Sequence, residues 1–363
     1  MPWQWISRIF NRAHTNELLD EKAACRGKFS PSQETSSNNY QPSSSHPQTS
    51  TNNRAEIDHT IKESSQALEA AFFAWLLECD EAALKISTEQ AQQKAKVILK
   101  RLDQEVLSLD QLPRRPASFP LLIKLLNSDN ASNSEIANTI LSDPALATQT
   151  LKTANSPFFR TSNETIDSIE RAVFILGIQG IRNIISATVM MPLIKGRNSR
   201  EALFSKKVWQ WGLLSATASD QLAHHQEASS GPVFLLGLLP ALTYFLIYQG
   251  VQSQQQSNAE FSDLEPAIIK FLIQQRSWRL CHEICQQWGL PPSSNKYLLD
   301  AERPSPSNEI MPLRDGIFIG THTALQSFSK SPIDNKQLHL LISAASRVCS
   351  KVIKHLYEQV DQV

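Results

Sequence analysis

The chain has no excess of either charge. Its 35 Lys and Arg balance 35 Asp and Glu over 363 residues, so no global field draws it toward nucleic acid or an acidic surface. Charged residues make up only 19%, below the usual quarter or so, and Ser, Asn and Gln fill much of the gap. The five cysteines are Cys25, Cys79, Cys281, Cys285 and Cys349. An odd number in a long chain with no export signal argues for reduced thiols in a cytoplasm over a disulfide framework. The opening residues, MPWQWISRIFNRA, lack the continuous apolar core and small-residue cleavage site of a signal peptide. No apolar run reaches the roughly 20 residues of a membrane span. Val233 to Tyr248 is uncharged but shorter, with Pro240 at its middle, and reads as a buried core helix. Sustained period-2 alternation with β-branched enrichment is also missing, so the expected fold class is all-α.

What is there is helical punctuation, clearest from Ile140 to Leu176. Asp143-Pro144 reads as a helix start: the carboxylate accepts from free backbone N–H groups, and Pro lacks the N–H that would go unpaired. Leu146, Leu151 and Ala154 recur at helical spacing. Pro157 pushes Ser156 out of the α region, which predicts an end near Asn155. Asp167 with Glu170 makes a capping-box pattern. Ile169, Ala172, Val173 and Leu176 then form an apolar stripe. Gly177 is free to take positive φ and stop the helix, and Ile181, Ile184, Ile185 and Thr188 resume the stripe.

These same residues carry a resemblance. Asp143-Pro144-x-Leu146, Leu151, Ala154-Asn155-Ser156, Ser168-Ile169, Ala172-Val173 and Leu176-Gly177 resemble, in order and spacing, the HDOD family (HD-related output domain), an all-helical module of bacterial regulatory proteins. Leu112-Pro113-x-x-Pro116 and Trp288-Gly289-Leu290-Pro291 fit the beginning and a later turn of that module. The resemblance spans about residues 110–300 and implies a multi-helix HD-like bundle.

HD-type hydrolases, related to this family in fold, hold divalent metals with an adjacent His-Asp pair in a GLLHDIG-like helix, and the metal turns bound water into a nucleophile. The matching residues are Gly237-Leu238-Leu239-Pro240-Ala241. Neither Pro nor Ala can donate an electron pair to a metal. Where such enzymes carry another His, this chain has Trp209-Gln210-Trp211, and Ser277 stands where a further His belongs. No catalytic, cofactor-binding or metal-ligating residue is therefore assigned. A proline inside a helix costs about 3 kcal/mol, so a kink is expected at Pro240, over an old site turned into packed core. His224 and His225 point about 100° apart on a helix and cannot chelate together. Cys281 and Cys285, at i and i+4, are read as core. Gly177-x-x-Gly180 is a helix junction, since no Lys-Ser/Thr signature follows it.

Five regions are expected: an amphipathic arm (1–25), a disordered linker rich in Ser, Asn, Gln and Pro (26–55), a helical segment (56–109), the HDOD-like domain (110–305) and C-terminal helices (306–363). In the arm, Trp3, Ile6 and Phe10 lie near one face with Trp5 and Ile9 beside them and Arg8 and Arg12 opposite. These five apolar residues are the candidate docking contacts, for a partner or for the protein itself. Lipid is the lesser reading because Glu17, Asp20 and Glu21 cancel the basic charge.

In the helical segment, a first helix carries Ile61, Leu68, Phe72 and Leu76. A second runs from a Ser87 or Thr88 cap through Val97, Ile98, Leu102 and Val106. A helix follows from about Glu201 to His224, then loops at 249–258 and 291–307 around another near Asp263–Gly289. The near-heptad Leu338, Leu341, Ile342, Ala345, Val348, Val352 and Leu356 either extends the core or joins a second copy of the chain. Nucleic-acid binding is not expected, since Arg182 is the one cation on the last of the short helices that mimic a helix-turn-helix. The resulting expectation is a non-catalytic cytoplasmic regulator that acts by binding other proteins and uses no cofactor. A divergent metal-dependent phosphohydrolase and a nucleotide-binding pocket protein are the alternatives.

Overall fold

The computed structural model describes residues 63, 66–86, 88–106, 116–126, 132–160, 164–226, 232–257, 265–302, 310–329 and 347–360. The arm and linker expected at 1–25 and 26–55 lie outside them. Among the described residues there is no strand, and helices joined by short turns make the fold.

Helix α1, Gln66–Leu77, buries Leu68, Phe72, Phe73 and Leu76 along one face. A 3-10 turn, Glu81–Leu84, leads to α2, Glu89–Arg101. The Thr88 hydroxyl caps α2, accepting from the Ala91 N–H at 3.2 Å. The buried line of α2 is Ala91, Ala95, Ile98 and Leu102, whereas Val97 is 39% exposed. The helix starts at the expected Thr88 cap, and small alanines, which leave no apolar stripe in the sequence, face the body.

The centre of the opening motif folds as expected. Helix α3 (Phe119–Leu126) and helix α4 (Asn133–Leu141) precede helix α5 (Pro144–Ala154). Asp143 caps α5, its Oδ1 accepting from the Leu146 N–H at 3.0 Å, and also receives the Ser118 hydroxyl at 3.0 Å. Asn155 ends α5 and clamps the following loop: its side chain donates to the Ile166 carbonyl and accepts from the Ile166 N–H, both at 2.8 Å.

Helix α6, Ile169–Met190, is broken at Gly177 (φ 68°, ψ 176°), a backbone region open essentially only to glycine. The capping box expected at Asp167 and Glu170 is not there. Ser168 is the cap, accepting from the Arg171 N–H at 3.2 Å, and Asp167 instead faces Arg171 at 3.8 Å. One residue of shift makes the buried Ile169 the first helical position. A true capping box sits at Ser132 and Glu135, in front of α4.

The long helices follow: α7, Ser199–His225; α8, Val233–Ser257; α9, Pro266–Trp288; α10, Ser293–Glu302; α11, Pro312–Phe328; and α12, Arg347–Val360. Two expected loops are corrected. α8 continues through 249–257, since glutamine is a good helix former and Val251 extends the buried line of Tyr244, Ile247 and Tyr248. Residues 293–302, read as part of a Pro/Ser loop, form α10, which buries Ser294, Leu298 and Ala301 at i, i+4 and i+7. That stripe is too short to stand out from its composition. Gly289 closes α9 in the left-handed conformation (φ 68°).

α7 is the axis of the bundle. It packs on α8 and α11, α9 covers α8, and α4 and α5 cover α6. α12 lies on α7 and α11 of the same chain, burying Cys349, Val352, Ile353 and Leu356.

Candidate functional site

Gly237–Ala241, the residues that resemble the His-Asp helix of HD hydrolases, lie at the crossing of α7 and α8. Two small-residue pairs bring the backbones together. A methyl group on Gly212 would lie 2.6 Å from the Ala241 Cβ, and one on Gly237 would lie 2.5 Å from the Ala216 Cα. The pairs repeat at four-residue spacing on both helices and run antiparallel. The opposite flank of α7 repeats the device against α11. A methyl on Gly316 would meet Ser219 at 2.2 Å, and one on Gly320 would meet Ser215 at 2.4 Å. α7 is therefore clamped between two neighbours through Gly212 and Ala216 on one side and Ser215 and Ser219 on the other.

Ala241 is wholly buried against this contact. A carboxylate at 241 would have to enter the space held by Gly212. α8 runs on through Pro240, whose ring denies the Leu236 carbonyl its helical donor. The Thr243 hydroxyl donates to the Pro240 carbonyl at 3.0 Å and stands 3.7 Å from the Cys281 Sγ. Ser277 is buried on α9.

Trp211, in the stretch 209–211 where the resemblance implies another histidine, is fully packed. Its indole N–H donates to the Thr321 hydroxyl at 2.8 Å. Its ring stands 5.0 Å from Phe72 and 4.9 Å from Tyr244, and Phe73 stacks on Tyr244 at 6.2 Å. α1 thus closes this end of the bundle with aromatic rings.

Cys281 and Cys285 are buried core residues, as expected from their spacing. Burial pushes the Cys281 thiol up to about 12 and raises that of Cys285 further, so both remain protonated and poor as ligands. His224 and His225 lie exposed at the end of α7. Among the described residues no group of three or more His, Cys, Asp or Glu side chains is placed to hold a metal ion. The residues present do not fit a metal centre, and no chemistry is derived through one.

Sequence reasoning missed two polar clusters. Asp220, buried on α7, accepts from Gln179 Nε2 and Asn183 Nδ2 of α6, both at 2.8 Å. Burial raises its carboxyl above the usual range, while the two amides and His224 pull it back. His322 on α11 is buried with Tyr357 Oη 3.3 Å from its Nδ1, and its Nε2 has no hydrogen-bond partner. Burial pushes its pKa down to about 4. The small-residue clamp was readable as Gly212-x-x-x-Ala216, Gly237-x-x-x-Ala241 and Gly316-x-x-x-Gly320. The proposed docking residues Trp3, Trp5, Ile6, Ile9 and Phe10 lie outside the described residues.

Fold and helix crossing together define an all-helical HD-like bundle. Residues 112–304 match the model of the HDOD domain family, and the chain belongs to that family. Among solved structures it is similar to a protein from Shewanella amazonensis SB2B provisionally named a metal-dependent phosphohydrolase. The two are 17% identical, with 75% of this chain and 100% of that one covered and a TM-score of 0.50. It is equally similar to an HDOD domain protein of unknown function from Geobacter sulfurreducens, at 16% identity, 74% and 96% coverage and a TM-score of 0.50. At such identities the likeness shows the fold. Among curated proteins nothing matches the chain.

Proposed function

We propose that this protein is a non-catalytic regulator of a bacterial cytoplasm that works by binding other proteins. One observation carries the reading: the His-Asp position of an HD hydrolase is occupied by Pro240 and Ala241, and Ala241 abuts Gly212 at a backbone-to-backbone helix crossing. Both the electron-pair donors and the space for a metal are gone. The name of the Shewanella protein raises the phosphohydrolase alternative, which the donor set of this chain does not support. The buried free thiols suit a reducing compartment. Arg182, the one cation on the half of α6 that follows Gly177, is itself buried, which supports setting nucleic acid aside. The partner contacts are assigned to Trp3, Trp5, Ile6, Ile9 and Phe10.

The test is affinity recovery from native lysate, with the full chain beside one starting at Gln111, together with metal content and phosphodiester turnover. A specific protein lost on truncation supports the reading and places the contact N-terminal to Gln111. Equimolar bound metal with hydrolysis of a cyclic dinucleotide or a generic phosphodiester would overturn it.

A further inference from the structure

Phe174 is 81% exposed on the first half of α6, the most exposed of the large apolar side chains among the described residues. Ile175 beside it is 38% exposed, and Leu141 on the neighbouring α4 is 42% exposed. Nothing in the fold requires a ring at 174, because this half of α6 packs inward through Ile169, Ala172 and Val173.

The surroundings are acidic. Glu170 lies one turn before Phe174 on the same face of α6, Asp167 lies just ahead of the Ser168 cap, and both are exposed, as is Glu164. Arg171 is already engaged with Glu164 at 2.7 Å and Asp167 at 3.8 Å. Three exposed carboxylates and one guanidinium thus lie in and just ahead of the first turn of α6, one turn before the exposed ring. The complement of such a surface is a short peptide with aromatic and aliphatic anchors, cations and no carboxylate.

Residues 3–12 have that composition: Trp3, Trp5, Ile6, Ile9 and Phe10 with Arg8 and Arg12, and no carboxylate before Glu17. We propose that the Phe174 surface is the seat of this segment, docked in cis on its own HDOD body. The connection is long enough. The linker expected at 26–55, taken alone as a random chain, has a root-mean-square span on the order of 30 Å, against a radius of gyration of about 20 Å for a body of this size. Tethering at that length supplies an effective concentration on the order of millimolar, so a weak intrinsic affinity holds the segment down. A protein partner that uses the same aromatic residues must then displace it from α6. That consequence rests on the partner role proposed above; the docking itself does not.

The experiment places the photo-cross-linking residue p-benzoylphenylalanine at 174 in the full chain, followed by mass spectrometry of the adducts. The expected product is an intrachain link to residues 3–12 at monomer mass, with a yield independent of protein concentration. That yield falls at least threefold in Glu170→Lys and in the double variant Trp5→Ala, Ile9→Ala. Glu170 is a surface residue, so its variant keeps the fold, which circular dichroism checks. An adduct joining two chains, the absence of any adduct to residues 3–12, or a yield indifferent to Glu170→Lys would each overturn the docking. A partner recovered by the full chain without the arm adduct overturns the docking alone. The adduct without any recovered partner upholds the docking and weakens the partner role.

Discussion

The crossing of α7 with α8 and α11 and the seam that α9 and α7 make with the N-terminal segment are both helix contacts, built by opposite means. The crossing pairs glycine, alanine and serine, and its closeness is a matter of backbone shape. The seam is ionic. Arg276 of α9, itself buried, is held by Asp103 at the end of α2 and by Glu283 at 2.8 Å. Lys270 pairs with Glu69 of α1 at 2.9 Å, and Lys207 of α7 reaches Glu78 at 2.9 Å. The stretch Gly237–Ala241 lies in the first kind of contact. There, small side chains let the backbones of α7 and α8 meet. Charge survives where the N-terminal helices must find their register on the body.

The two contacts answer differently to substitution. The largest effect is expected at the crossing, in Gly316→Val. Its Cβ would stand 2.4 Å from the Ser219 backbone nitrogen and 2.5 Å from its Cα. The obstacle is backbone, so the loss is on the order of 4 kcal/mol, above the usual range for an overpacked core. Urea unfolding checks it, and a loss under about 1 kcal/mol would mean that α7 and α11 are not in backbone contact. At the seam, Arg276→Leu takes the shared cation from Asp103 and Glu283, Glu283 keeping Arg279 at 3.0 Å, so the loss falls mainly on Asp103. The expected loss is about 3 kcal/mol, and it should be partly recovered when Asp103 is also made Asn. A double-mutant cycle reads this coupling; independent, additive losses would break the description of the seam as ionic.

A third contact, α11 against α12, lies between these extremes, since it buries a titratable but neutral group. His322 has a folded pKa of about 4, below its usual value near 6.5. The unfolded chain therefore takes up the proton first as pH falls. The stability due to a neutral His322 is complete above about pH 6.5 and drains away toward pH 4, with a loss of about 2 kcal/mol by pH 5. Asp220 and Asp315 have raised carboxyl values through burial and contribute the opposite slope, so the check is a difference. Wild type and His322→Phe are unfolded in urea at pH 7 and pH 5, and the variant should lose less. Equal losses would show that His322 is not buried as a neutral ring.

How much of this was legible follows the same division. The caps and the breaks were readable because they depend on one or two residues: Asp143-Pro144, Asn155 before Pro157, Gly177 and Gly289. Positions 240 and 241 were readable as non-ligands from chemistry alone. The closeness of the crossing was not read, although Gly212, Ala216, Gly237 and Ala241 are spaced for it, because small residues leave no apolar stripe and matter only once the partner helix is known. The ionic seam was invisible for a related reason. Asp103 and Arg276 are 173 positions apart, and no local pattern announces such a pair. Helix α10 and the end of α8 were missed because composition argued for loops while tertiary burial of Leu298, Ala301 and Val251 favoured helix.

The smallest effect is the one that most directly probes whether the surroundings of Pro240 are dry. Thr243 sits beside Pro240, fully buried, with its hydroxyl on the Pro240 carbonyl and next to the Cys281 sulfur. In Thr243→Val the volume is kept and only that hydroxyl is lost. The Pro240 carbonyl keeps its helical donor at Tyr244, so no buried acceptor is stranded. The expected cost is below about 1 kcal/mol, several-fold less than at Arg276. A loss comparable to Arg276→Leu would mean that the hydroxyl serves a polar network or a bound ligand at this position. The region would then belong with the seam as a contact held by polar pairing, and the contrast between the two would fail at the residue where it is most exposed to test.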